Sequence, residues 1–359
     1  MKYPNSTKII PGVILAFIFC LFSQGINNVI GIEFFGTSKS PISTVMIAIL
    51  LGIIMGNAFT PRPGMMIGLD FTQKYILKLG IIFLGIRLSF TEFVKFGTIA
   101  IPLIIVCILS ALTIVKILIK KVPISSKMSY LIAIGTSVCG ATAIVATAPI
   151  IDAKKSEVAY AIANITLFGV ISMLIYPYFA EWYFYGEPLK AGLFLGTAIH
   201  ETSQVAAAGL IYDQQFNSPE TLNVATVTKL IRNTFLVIMI PLFGFLYNRG
   251  KIKGNDYSIL NIFPYFVLGF IGMIVVRNVG DQFFIFDSNN YEIWKSFIFY
   301  IKILATVFLT MSMAAVGISI NLSELKSMGY KPFIVGLIAA LTVGIVSIVS
   351  LQTFLKIFI

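Results

Sequence analysis

The sequence predicts an all-α polytopic membrane protein with inverted structural repeats and two discontinuous segments, re-entrant hairpins being favoured over broken spanning helices. Three observations predict it. The composition is apolar, a series of apolar runs reaches membrane-crossing length, and two matched stretches, 127–151 and 188–213, carry polar, glycine-containing interruptions at their centres. With 58% hydrophobic and 11% charged residues and a mean hydropathy of +0.94, the chain is too apolar for a soluble domain. Residues 1–359 are expected to form one transmembrane domain, with a core at 127–247 that holds both interruptions.

Crossing the ~30 Å hydrocarbon core takes roughly 20 residues. Runs of that kind fall near 9–32, 41–59, 71–90, 97–119, 157–180, 219–247, 259–280, 296–320 and 332–357. The first is longer than the apolar part of a signal peptide and lacks a small-residue cleavage site, so it reads as an uncleaved helix. The formal net charge of +11 is scattered through short loops, which speaks for topology and against a nucleic-acid partner. With the N-terminus inside, cytoplasmic loops hold about twice the Lys and Arg of external ones. A cytoplasmic N-terminus in a bacterial inner membrane is expected, and the connections around Tyr212–Glu220 and Gly280–Glu292 then lie outside. Cys20, Cys107 and Cys139 are odd in number and sit in apolar segments, so no disulfide framework or metal-binding cysteine pair is expected, and no cofactor is expected either.

The two interruptions align Gly135-Thr136 with Gly196-Thr197, and Ala146 with Ala207. Freed backbone groups cost several kcal/mol each in lipid, so broken helices persist only where protein or a water-filled cavity surrounds them. A second match pairs Gly85–Phe93 with Gly317–Leu325, and Gly97 with Gly329. Two full crossings would make the interrupted pair parallel while the second pair is antiparallel. Two hairpins make both pairs inverted, and arms of about ten residues reach the midplane at ~1.5 Å per residue.

Lys229 and Arg232 lie well inside the 219–247 run, where charges are costly and usually functional. Asn223, Thr226, Lys229 and Asn233, with Arg232 beside them, share one helical face that should look into the protein. Two readings stand: a cationic site for an anion, or a structural ion pair with Glu201 or another acid. His200 and Glu201 are either a proton-coupling pair or a bracket for the hairpin tip. His200 is the chain's one histidine, so His200-Glu201-Thr202-Ser203-Gln204 cannot form a two-histidine zinc site.

The interruptions also supply Ser137, Thr142, Thr202, Ser203 and Gln204, with Gly140 freeing backbone N–H groups that attract anions. The alternative for Gly and Thr is close helix packing. Cys139 is a small residue at the first tip, and Asn164 lies on the helix joining the two segments, where it either lines the same cavity or bonds between helices. Arg87 and Arg277 sit near span ends and are expected to snorkel. No nucleophile elbow or aspartate dyad is present, so an enzyme is not expected.

The stretches Gly135–Ile144, Glu157–Ala163 and Gly196–Val205 resemble the YeiH-type sulfate exporter family, and Phe83–Ser89 resembles members of the wider cation-proton antiporter and anion transporter superfamily. The resemblance implies an inner-membrane secondary transporter with a discontinuous-helix core, exporting sulfate or a related sulfonate. One departure is Glu201, where the family often has Asp. The resemblance supplies motifs and no ligand map; from the residues themselves, substrate binding is expected at Ser137, Cys139, Gly140, Thr142, Asn164, Thr202, Ser203, Gln204, Lys229, Arg232 and Asn233, and coupling at His200 and Glu201. The partners expected are a small anion, the lipid bilayer and a coupling proton or sodium ion, with a homo-oligomer left open. A cation/proton antiporter and a passive anion channel are the competing functions.

Overall fold

A computed structural model describes residues 6–34, 40, 42–59, 62–119, 121–122, 124–247, 263–284, 288–321, 323 and 330–358. Among them there is no strand. Helices run α1 (Ser6–Val29), α2 (Thr44–Ala58), α3 (Pro63–Phe71), α4 (Leu77–Leu84), α5 (Phe90–Ile119), α6 (Ser126–Ser137), α7 (Ala141–Thr147) and α8 (Lys155–Tyr183). They continue as α9 (Pro188–Ala198), α10 (Thr202–Phe216), α11 (Pro219–Thr234), α12 (Leu236–Tyr247), α13 (Phe266–Phe284), α14 (Ser288–Ser319) and α15 (Tyr330–Phe358).

Among the described residues, seven helical segments are long and apolar enough to cross a membrane: Lys8–Glu33, Phe90–Leu118, Lys155–Tyr183, Pro219–Leu242, Phe266–Phe284, Asn290–Ser319 and Tyr330–Phe354. Two expected spans take another form. The 41–59 run becomes α2, a shorter apolar helix. The 71–90 run starts earlier, because Pro63 sits at the first helical position after Arg62, where its fixed φ and missing N–H favour a helix start. It then passes through a π-turn at Thr72–Ile76 and ends in a 3₁₀ turn at Gly85–Arg87. Of the second sequence match, Leu322, Glu324, Leu325 and Gly329 lie outside the described residues, as do residues 285–287 of the connection after α13.

The chain divides into two compact units. The first comprises Met1–Phe93, Leu210–Pro219 and Tyr265–Ser323. Its helices cross closely on glycines, as small residues allow in membranes. A Cβ at Gly52 would stand 2.9 Å from Ile318 N, and one at Gly12 would stand 2.6 Å from Gly68 Cα. Gln73 Nε2 adds a hydrogen bond to Ala315 O at 2.9 Å.

The second unit comprises Val94–Gly209, Glu220–Pro264 and Glu324–Ile359. The sequence-defined core at 127–247 falls in it, apart from 210–219. At its centre is α11, in which every residue from Thr221 to Leu230 is buried. A helix buried all round is normally apolar. This one carries Asn223, Thr226, Thr228, Lys229, Arg232 and Asn233 in buried positions.

Candidate functional site: two hairpin tips held by buried cations

The first interruption is a hairpin. Ser125 caps α6 by accepting from Met128 N at 3.1 Å, and the helix ends where Gly140, with φ +75°, donates its N–H to Gly135 O at 3.0 Å. Positive φ strains residues that carry a Cβ, so glycine at 140 permits the reversal. α7 then folds back: a Cβ at Gly135 would stand 2.9 Å from Ile144 Cδ1. At the mouth, Lys127 Nζ donates to Asp152 O and lies 3.8 Å from its carboxylate. Residues 127 and 152 thus meet while 138–140 form the tip. Glu157 ties the mouth to α8, accepting from Lys154 N at 2.8 Å and from Ser125 Oγ.

The second interruption is also a hairpin, and α11 is its ruler. Cβ atoms at Gly192 and Gly196 would meet Val224 and Thr228 respectively, so α9 runs parallel to α11. Asn233 Nδ2 donates to Thr202 Oγ1 at 2.9 Å, whereas Gly209 packs on Leu222, so α10 runs antiparallel to it. The arms therefore reverse at 199–201. The two tips touch, for a Cβ on Gly140 would lie 3.4 Å from Glu201 Cβ.

Lys229 and Arg232, both 0% exposed, hold the tips together. Lys229 Nζ donates to Val138 O at 2.9 Å, Ile199 O at 3.0 Å and His200 O at 2.5 Å. Arg232 donates through Nε to Ser137 O at 2.9 Å, through Nη1 to Thr197 O at 2.5 Å and through Nη2 to Thr136 O at 2.5 Å. These carbonyls end α6 and α9, where orphan acceptors and the negative pole of the helix dipole coincide. Each hydrogen bond to a charged donor contributes about 1.5–3 kcal/mol. An ammonium has three donors, so Lys229 has none left over. The expected ion pair between these cations and Glu201 is absent from the described salt bridges.

Other expected residues gather at the tips with unequal access. Thr142 is exposed, Glu201 and Thr202 are half-buried, and Cys139, Gly140 and Ser203 are buried. Ser137 Oγ bonds back to Ala133 O at 2.5 Å. His200 is 1% exposed, and neither of its ring nitrogens has a hydrogen-bond partner among the described residues. Asn233 Oδ1 is likewise buried and unpartnered.

Two expected residues stand elsewhere. Asn164 Nδ2 donates to Pro332 O at 2.7 Å, and its side-chain oxygen abuts Gly336. It is the neighbouring Ile165 that touches Gly135 and Gly140. One residue is about 100° of helix rotation, which turns Asn164 toward α15. Gln204 Nε2 donates to Thr166 O at 3.2 Å, with its oxygen against Gly169. It lies two residues, about 200°, beyond Thr202. Sequence reading missed the backbone carbonyls of Thr136, Val138, Thr197 and Ile199 as acceptors. Only the general affinity of Lys and Arg for helix C-termini could have pointed to them. Among the described residues no cluster of His, Cys, Asp or Glu could hold a metal ion.

The family described as Conserved hypothetical protein 698 matches residues 11–336. The chain belongs to this family. A UPF0324 membrane protein of Streptococcus agalactiae is 34% identical over 346 residues, covering 95% of this chain and 96% of the relative. One from Fusobacterium nucleatum is 33% identical over 353 residues, covering 97% and 98%. One from Clostridium tetani is 30% identical over 356 residues, covering 95% and 96%. With such relatives and seven candidate spans, this UPF0324 family member is a multi-pass membrane protein.

Proposed function

We propose that the chain is a secondary active transporter of a small anion, of sulfate or sulfonate type, working by alternating access in the bacterial inner membrane. Its N-terminus would be cytoplasmic and its segments organised as inverted repeats of the YeiH-type exporter pattern. The observation that carries this is the meeting of two re-entrant tips, Gly140 against Glu201, at a chain level where irregular backbone survives only around a cavity or inside protein. Lys229 and Arg232 serve as braces that set the potential, because their bonds go to carbonyls. The groups left to meet a solute are Thr142, Thr202, the start of α10 and Glu201. Between the two coupling candidates, the half-buried Glu201 is reachable and the buried His200 is not. No enzymatic step is assigned to this arrangement.

Purified full-length protein in liposomes should accumulate labelled sulfate or a sulfonate under an imposed proton gradient. Glu201→Gln should keep binding but lose the gradient dependence, and Thr202→Val should weaken uptake. Absence of uptake across sulfate, sulfite, sulfonates and carboxylates would overturn the anion reading. A cation/proton antiporter is favoured by one observation: Glu201 carries a carboxylate at the tip without a hydrogen bond or ion pair among the described residues. The sign of charge moved across the liposome separates the two, and steady single-channel currents would instead identify a passive channel.

A further inference from the structure

The first unit contains a second group of charges between apolar helices. Arg87, which closes the 3₁₀ turn after α4, donates from Nη1 to Asp213 Oδ2 at 2.8 Å, and these side chains are 13% and 17% exposed. Its Nε is buried and has no acceptor among the described residues. Arg277 donates from Nε to Asp281 Oδ2 at 2.6 Å, and Trp294 Nε1 donates to Asp281 Oδ1 at 2.8 Å.

The remaining cation is Lys302 on α14. It is half-buried, lies in the field of Arg87, Arg277, Asp213 and Asp281, and makes no ion pair among the described residues. Packing holds it there, since Ile86, Trp294 and Ile298 form one buried cluster with Ile301 against it. That cluster places the α14 face bearing Lys302 beside the turn that ends in Arg87. Three cations thus share two carboxylates, each of which already holds an arginine. An uncompensated cation in an apolar setting is costly, and a buried guanidinium N–H without an acceptor adds to the cost.

We propose that Lys302 and Arg87 form an anion-binding site, separate from the hairpin tips, for an oxyanion with several equivalent oxygens. Such an anion supplies the missing negative charge and an acceptor for Arg87 Nε, matching the preference of Arg and Lys for multi-oxygen anions. Its source is either a phospholipid headgroup or a free oxyanion from solution.

The test uses the full chain in nanodiscs of phosphatidylcholine, with or without phosphatidylglycerol. Sodium sulfate is titrated against sodium chloride at matched ionic strength, and thermal unfolding is followed by tryptophan fluorescence, to which Trp294 contributes from within the cluster. Specific binding raises apparent stability in a saturable way. Wild type and Lys302→Arg should titrate alike, and Lys302→Gln should need about tenfold more anion, as loss of one charge-assisted hydrogen bond requires. A Lys302-dependent response to sulfate in pure phosphatidylcholine identifies a free oxyanion. A Lys302-dependent response to phosphatidylglycerol, with nothing added by sulfate, identifies the headgroup. Indistinguishable behaviour of wild type and Lys302→Gln in both lipids overturns the site. Sulfate bound at the tips shifts both proteins equally and does not enter the difference.

Discussion

The two groups of cations set among the helices of this protein answer to different partners. Lys229 and Arg232 donate to six backbone carbonyls at the ends of α6 and α9. Arg87 and Arg277 pair instead with the carboxylates of Asp213 and Asp281, and Lys302 has neither kind of partner among the described residues. A carbonyl at a helix end cannot take up a proton or swing to another partner, and it carries only part of a charge. Cations held by such acceptors fix geometry. Cations held by side-chain carboxylates remain open to exchange of charge with solutes, protons or lipid.

The largest expected effect comes from cutting the carbonyl-bound set. Arg232→Met and Lys229→Met each strand three buried carbonyls, and each should cost on the order of 3–5 kcal/mol, read as a fall in melting temperature in nanodiscs. A loss no greater than that of Lys302→Gln would dissolve the contrast between the two groups.

Next come the glycine at the first hairpin's turn and two glycines at close helix contacts. Gly140→Ala places a Cβ at φ +75° and ψ −126°, backbone that favours glycine, and should cost about 1–3 kcal/mol. Gly169→Ala and Gly336→Ala drive a methyl into the amides of Gln204 and Asn164, at about 1–3 kcal/mol each. If these amides belong to helix interfaces, Gly336→Ala should lower stability while leaving any substrate affinity per folded molecule unchanged.

In the carboxylate-bound set, Asp213→Asn removes the partner of Arg87 and should cost about 1–2 kcal/mol, much of it recovered by adding Arg87→Gln. A double-mutant cycle checks the coupling, and additivity would sever the pair. The smallest effect belongs to Lys302→Gln without added anion. It removes a charge with no counterpart and should be neutral or stabilising within about 1 kcal/mol.

Periodicity made the polar face of α11 readable, because Asn223, Thr226, Lys229 and Asn233 recur at helical spacing and the cost of charges in lipid turns them inward. It also made the two interruptions readable, since glycine and threonine inside apolar runs break a pattern that is otherwise continuous. The hairpin form followed from matching the segments, and Lys127 beside Asp152 bears it out for the first. Spacing could not separate Asn164 from Ile165, because neighbouring residues differ by a rotation whose zero is set by packing. Nor could hydropathy find the start of α3, where Arg62, Pro63 and Gly64 interrupt the apolar signal.

Local order in the chain, then, was enough for the membrane class, the places where helices break and the inward turn of Lys229 and Arg232, since each follows from transfer cost and helical pitch alone. Whether those cations would meet an acid, an anion or a backbone carbonyl depended on contacts between residues from 29 to 96 positions apart. Backbone carbonyls are present at every residue and leave no mark in a sequence. Folding selected six of them by bringing two helix ends to one point.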